Sequence, residues 1–319
     1  MLSEVGLRNF RSYGKASFEF SERNVIIGAN GSGKSNLIEA IYLLATGKSF
    51  RAERDEEMVR YGEQLSVISC QLSVGDELKV VLAENKKFEV NGVAKRMMDF
   101  VGQVRAVMFG PGDMELVTGS PSTRRRYLDF VISQMDREYR RNLISYEKGL
   151  RQRNRLLDLI RDNLAGRNQL YFWDKLLVKN GQYLTDERAE FLAKTGFEYD
   201  KSEISEARLA QYEVEEVAAG STLVGPHRDD FIFIKEGRDA SKFGSRGEQR
   251  MAVWWLKQKE IEYLGGKPVL LLDDIFSELD HEHRDEVMKL VKNYGGQVIM
   301  TTADEHLVPE VKDAKVIRL

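Results

Sequence analysis

The chain has 319 residues, 42% hydrophobic and 31% charged, which is room for one large or two smaller α/β domains and is not the composition of a disordered chain. Its 48 Lys+Arg against 51 Asp+Glu leave a formal charge of −3, so the chain as a whole is not a basic nucleic-acid binder. The single Cys70 excludes an internal disulfide, MLSEVGLRNF lacks the basic-then-apolar order of a signal peptide, and no apolar run approaches about 18 residues, so a cytoplasmic protein with no membrane partner is expected.

The first fifty residues predict strand, turn, strand, loop and helix: SEVGLRNF, ASFEF, then NVII, a Gly-rich turn and the helix NLIEAIYLLAT. Residues 65–110 carry LSVISCQLSV, ELKVVLA, KFEVNGV and VRAVMF, read together as an antiparallel sheet with a hairpin turn at Asn91-Gly92. Cys70 alternates with this sheet as a buried structural thiol. From Pro121 the spacing turns helical, with Leu128, Val131, Met135, Tyr139 and Leu143 on apolar positions, and YFWDKLLVKNGQYLTDERAEFLAKT continues in the same manner. Residues 121–170 hold twelve Lys+Arg against six Asp+Glu, a local +6 that suggests a polyanion-facing surface inside an acidic chain. The β signal returns after about 215 in TLVGPHRDDFIFI, PVLLLDD, QVIMTT and KVIRL. The continuous apolar runs PVLLLDD and QVIMTT predict strands buried on both faces. These divisions predict a discontinuous head, 1–115 with 215–319, and an inserted helical lobe, 116–214.

Residues 28–35 read G-A-N-G-S-G-K-S, a full phosphate-loop pattern. Gly28, Ala29, Asn30, Gly31, Ser32 and Gly33 would wrap phosphate oxygens with backbone N–H groups, Lys34 would reach the β and γ phosphates, and Ser35 would offer a hydroxyl to Mg2+. The strand PVLLLDD ends in two carboxylates: Asp273 is expected to hold Mg2+ and Asp274 to act as general base on the attacking water. The hydroxyls of GGQVIMTT are a candidate γ-phosphate sensor. KFGSRGEQR, residues 242–250, carries two readings: a capping box from Ser245 to Glu248, or a set of donors at a helix N-terminus aimed at phosphate. With four histidines and one cysteine a zinc site is not expected.

The order phosphate loop, helical insertion, SRGEQ, LLLDD-IFSELD and MTT resembles the ABC-type ATPases of the SMC/RecF class. LRNFRSY, GANGSGKSNLIEAIYLLATGKSFR, FGPGDMELVTGSPSTRRRYLD, TLVGPHRDDF, FGSRGEQR and LLLDDIFSELD together resemble the RecF family of bacterial recombination mediators. Two positions depart from that family's pattern: Ser35 where Thr is more usual and Gly112 where an acid is usual. The resemblance implies an ABC-type P-loop ATPase head of class α/β with an antiparallel β subdomain. It implies ATP and Mg2+ as cofactors, and an ATP-dependent homodimer in which Ser245 and Gly247 cover the ATP of the partner copy. SELD at 277–280 would be the loop across that interface. Arg8 and Arg11 would lie near the nucleotide, and His227, Arg228 and Asp229 would enter the ATPase core. The expected activity is slow, DNA-dependent ATP hydrolysis in recombinational repair, with double-stranded DNA and a RecR-type mediator as partners. DNA contacts are expected from Arg124, Arg125, Arg126, Arg140 and Arg141, with Arg137, Arg151, Arg153 and Arg155 as further candidates. The other reading of these arginines is a solvated helix face. Two rival functions stay open: a transporter-type coupling ATPase and an SMC-like defence ATPase.

Overall fold

The computed structural model describes residues 1–235, 237–275, 281–304, 306, 311 and 313–319, the side chains of 281–283 excepted. In chain order the elements are β1 (Leu2–Phe10), β2 (Tyr13–Glu19), β3 (Arg23–Ile27), α1 (Lys34–Thr46), β4 (Ser66–Leu72), β5 (Glu77–Leu82), β6 (Lys87–Val90), β7 (Val93–Lys95), α2 (Met97–Phe100) and β8 (Ala106–Phe109). Then come α3 (Glu115–Thr118), α4 (Pro121–Met135), α5 (Arg137–Arg161), α6 (Tyr171–Ala193), β9 (Glu198–Asp200), α7 (Glu206–Gln211), α8 (Glu213–Ala219), β10 (Asp230–Ile232), β11 (Ile234–Lys235) and β12 (Arg238–Asp239). The chain closes with α9 (Ala240–Phe243), α10 (Arg246–Leu264), β13 (Val269–Asp273), α11 (His281–Asn293), β14 (Val298–Thr302) and β15 (Lys315–Arg318). Two compact units result, Met1–Asp113 with Glu260–Leu319, and Met114–Lys259.

The first unit holds two sheets. One is parallel, in the order β15-β3-β14-β13-β8; the other is antiparallel, in the order β2-β1-β4-β5-β6-β7. Strands β13 and β14 are buried along their whole length, as their unbroken apolar runs predict for a parallel sheet covered on both faces. The same rule explains one difference from the sequence reading. AVMF of β8 was expected in the antiparallel block, yet all four residues are buried and β8 pairs parallel with β13. Alternation persists where one face is open, as in β5. Helix α1 packs against strands of both sheets and is buried from Leu37 to Thr46, which accounts for its apolar sequence on every side. Cys70 lies buried in β4, its thiol pushed up to about 12 by desolvation, and is inert packing as expected.

The second unit is built on the antiparallel contact of α5 with α6. The helical stretch that opens at Pro121 is two helices in the structure, divided at Asp136, whose side chain accepts the Glu138 N–H at 2.7 Å and starts α5. The unit ends at Lys259, well past the expected lobe boundary at 214. Three long-range ties carry 215–259 into it: β9 pairs with β10, Arg188 in α6 reaches Asp229 at 3.0 Å, and Trp255 Nε1 donates to the Thr195 carbonyl at 2.7 Å.

Candidate functional site

The phosphate loop joins β3 to α1, and its glycines are required where the backbone turns left-handed or neighbours crowd it. Gly33 has φ +109°, and a Cβ there would stand 2.8 Å from the Tyr13 hydroxyl and 3.1 Å from Ser12 Oγ. The turn between β1 and β2 thus forms a wall of the loop, which sequence reading did not bring out beyond LRNFRSY. Tyr13 donates to the Gly33 carbonyl at 3.1 Å, and burial pushes its phenol up to about 12. Asn36 donates to Ser12 Oγ at 2.8 Å. Lys34 Nζ, itself nearly buried, donates to the Gly28 and Ala29 carbonyls at 2.6 and 3.0 Å. Ser32 Oγ is buried without a hydrogen-bond partner among the described residues. A cationic head parked on loop carbonyls and an orphaned hydroxyl are what a loop built for phosphate oxygens presents.

Asp273 closes β13 directly opposite Thr301 of β14. Its Oδ1 accepts from Ser35 Oγ at 3.1 Å and from Thr301 Oγ1 at 2.7 Å, while Oδ2 takes no hydrogen bond among the described residues. One hydroxyl and one carboxylate side by side, at the mouth of a phosphate loop, suit Mg2+, which takes only one or two protein ligands and fills its shell with water and phosphate oxygens. Asp274 follows in a left-handed conformation, φ +49°, and its N–H donates to the same Thr301 hydroxyl at 3.0 Å. Thr301 therefore fixes both carboxylate residues at once. Gly110, just after β8, leaves room beside Asp273: an added Cβ would lie 3.4 Å from the Asp273 Cβ. Gly112 is exposed, and Asp113 accepts the Gly110 N–H at 2.8 Å.

Arg11 is held by α1. It grips the fully buried Glu39 through Nε and Nη2 at 2.9 and 2.7 Å and donates to the Glu57 carbonyl at 2.6 Å. Arg51 takes the other side of Glu39 at 2.7 Å, with Ser49 Oγ at 2.6 Å. Burial raises the Glu39 carboxyl, but these donors outweigh it and hold the group below the usual carboxylate range. Arg8 is exposed on β1.

Ser245 and Gly247 open α10 in the second unit. Ser245 Oγ accepts the Glu248 N–H at 3.3 Å and Glu248 Oε2 accepts the Ser245 N–H at 2.8 Å, so the capping box forms. Lys235 at 2.8 Å and the Ser245 donors hold the Glu248 carboxyl down to about 2. Ser245 stays exposed. SELD at 277–280 and the side chains of His281 and His283 lie outside the described residues.

The arginines expected on DNA divide sharply. Arg124 is buried and forks onto Asp230 at 2.6 and 2.8 Å; Arg140 is buried and donates to the Ser133 carbonyl. Arg153 is buried among Asp174, Glu216 and Thr222. These three are corrected to interior residues, Arg124 and Arg153 in ion pairs and Arg140 on a backbone carbonyl, because a desolvated guanidinium already so bound offers nothing to a phosphate. Arg125 is half-buried on the Asp229 carbonyl at 2.8 Å, and Arg126 stacks 5.3 Å from the Phe130 ring centre. Arg141 is exposed. The GPHRDD block also belongs to the second unit. His227 Nδ1 accepts from Tyr146 at 2.8 Å while Nε2 donates to the Thr222 carbonyl at 3.0 Å, and burial pushes the imidazole down to about 4. Arg228 donates to the same carbonyl at 3.2 Å, and buried Asp229 takes Arg188 and the Ser202 N–H.

Known proteins are similar to this chain along its whole length. The family model for the RecF/RecN/SMC N-terminal domain matches residues 1–319. A DNA replication and repair protein RecF from Thermomicrobium roseum is 35% identical, covering 100% of this chain and 98% of that protein. The solved structure of the recombination mediator protein RecF with ATPrS, in the RecFOR pathway, matches with a TM-score of 0.90 at 32% identity, over 100% of this chain and 96% of that one. The RecF–ATP structure matches at 0.88 and 32%, over 99% and 95%. A phosphate loop, its paired carboxylates and an ABC-type ATPase head, matched along the whole length, show that the chain belongs to the RecF family of DNA replication and repair proteins.

Proposed function

We propose that this protein binds ATP with Mg2+, pairs with a second copy on double-stranded DNA while ATP is bound, and lets go on slow hydrolysis, in recombinational repair. The observation that carries the reading is the hydrogen-bonded set Ser35–Asp273–Thr301–Asp274 beside the phosphate loop. Lys34 would exchange its carbonyl partners for phosphate oxygens. Ser35 and Asp273 would hold Mg2+, whose charge offsets that of the phosphates. Asp274 would accept the proton of the water that attacks the γ phosphorus as the bond to the β-phosphate oxygen breaks. Ser245 and Gly247 would supply donors to the partner copy's γ phosphate. A RecR-type partner is proposed from likeness to a RecF of the RecFOR pathway.

The test uses Asp274→Asn, which should bind ATP but not consume it. Its mass in solution, with and without Mg-ATP, and its binding to duplex DNA at two salt concentrations are read together, with Lys34→Ala as the variant that should not bind nucleotide. ATP-dependent dimers that bind duplex support the proposal. Dimers without DNA affinity return weight to a coupling or defence ATPase, and a monomer with ATP bound overturns the shared site.

A further inference from the structure

We infer that the outward face of α5 is the surface that holds the phosphate backbone of duplex DNA. This inference rests on the DNA-binding reading above and replaces the buried arginines as its agents. At 100° per residue, Arg137, Arg141, Ile144, Lys148, Arg151 and Arg155 fall within about 40° of one line along the helix. All six are exposed. Opposite them lie Tyr139, Leu143, Tyr146, Gly149, Arg153 and Leu157, all buried. The helix has sorted its arginines by face: Arg140 and Arg153 inward, Arg137, Arg141, Arg151 and Arg155 outward.

Five cations therefore run along about 27 Å of one straight helix, with no carboxylate on their line. Glu138, Glu147 and Asp158 sit on its flanks, and Glu138 meets Arg141 at 2.6 Å with both side chains more than half exposed, a pair that solvent screens. Lys148, Arg151 and Arg155 have no ion pair or hydrogen-bond partner among the described residues. α6 packs antiparallel to α5, with Asp174 meeting Arg153 and Asn180 meeting Ser145, so its exposed cations level with this half of the helix are Lys175 and Lys179, while the exposed acids Asp186 and Glu190 lie toward the other end. A solvated helix face that served only solubility would interleave both signs. A line of one sign, carried mostly by arginine, is complementary to a regular polyanion, and the contact would be independent of sequence.

The experiment measures duplex affinity against salt for the full chain with Mg-ATP in the Asp274→Asn background. The triple variant Lys148→Gln/Arg151→Gln/Arg155→Gln is set against the control Lys194→Gln/Lys201→Gln, whose exposed lysines lie off the stripe in the same unit. Expected is a fall in the slope of log affinity against log salt of about 1 per lost phosphate contact, about 3 in all, with ATP-dependent dimerisation intact and the control unchanged. Equal affinity and slope in the triple variant and the parent overturn this inference while leaving DNA binding standing. A parent that binds no duplex overturns both. A loss in the control about two-thirds that in the triple variant, in proportion to the charges removed, assigns the effect to net charge and also overturns it.

Discussion

Replacing Thr301 by Val keeps the β-branched shape and removes a single oxygen. That oxygen donates to Asp273 at 2.7 Å and accepts the Asp274 N–H at 3.0 Å from a fully buried position. A hydrogen bond to a carboxylate contributes about 1.5–3 kcal/mol, and a buried N–H left without an acceptor costs about 1–3 kcal/mol. Ser35 still reaches Oδ1 at 3.1 Å, so the lower ends apply and the loss at the site is about 2–3 kcal/mol. The left-handed turn at Asp274, which disfavours any L residue by about 1–2 kcal/mol, loses its anchor at the same time. Turnover should fall about 30- to 160-fold, with the Mg2+ requirement moved to higher concentration. ATP affinity measured in chelator should hold, since Lys34 and the loop amides are untouched. Thr301→Ser, which restores the hydroxyl, should recover most of the rate. Wild-type turnover in Thr301→Val would refute the positioning role. So would a Ser variant as slow as the Val variant, which would trace the effect to packing of the methyl group.

Two further predictions concern the second unit. Arg153→Met leaves buried Glu216 and nearby Asp174 without their partner and should destabilise the chain by about 3–5 kcal/mol in urea unfolding followed by circular dichroism; a change under about 1 kcal/mol would contradict the interior role. His227 is held neutral in the fold, pushed down to about 4 from an ordinary 6.5, so the unfolded chain takes up its proton first. Its contribution to stability is complete above about pH 6.5 and is lost as pH falls toward 4, about 2 kcal/mol of it between pH 7.5 and 5. His227→Gln should flatten that part of the urea-midpoint profile, and an unchanged profile would rule the histidine out.

The phosphate loop was legible because its pattern is local, eight consecutive residues, whereas the crowding of Gly33 by Ser12 and Tyr13 comes from outside them. Asp273 and Asp274 were legible because an unbroken apolar run announces a buried strand and its last residues must be the acids. The same rule would have moved AVMF of β8 to the parallel sheet. What stayed hidden depends on partners far away in sequence. Arg124 is interior because of Asp230, and Arg153 because of Thr222 and Glu216. A count of charges over 121–170 cannot separate faces, although the helical line through Arg137 and Arg155 can. The tie of 215–259 to the helices was hidden for the same reason, since β9 and β10 are three residues each and meet across about thirty residues of chain.

KFGSRGEQR kept two readings open in the sequence, and the geometry makes them compatible. Ser245 Oγ caps α10 as an acceptor from Glu248 N–H, which leaves its own proton free to donate outward from an exposed site. Cap and phosphate recognition can therefore be separated by charge. Ser245→Asp keeps a good N-cap, so the melting temperature should stay near that of the parent, but it sets a carboxylate where an anion is to bind. Ser245→Ala removes the cap and adds no charge, with a loss of about 1 kcal/mol. If Ser245 serves only the helix, Ala is the worse variant and Asp dimerises normally with Mg-ATP. If it faces a partner copy's γ phosphate, Asp abolishes the ATP-dependent dimer at unchanged stability and Ala weakens it less. The ordering of the two variants in a mass measurement, against the opposite ordering in a melt, separates the two roles of one hydroxyl.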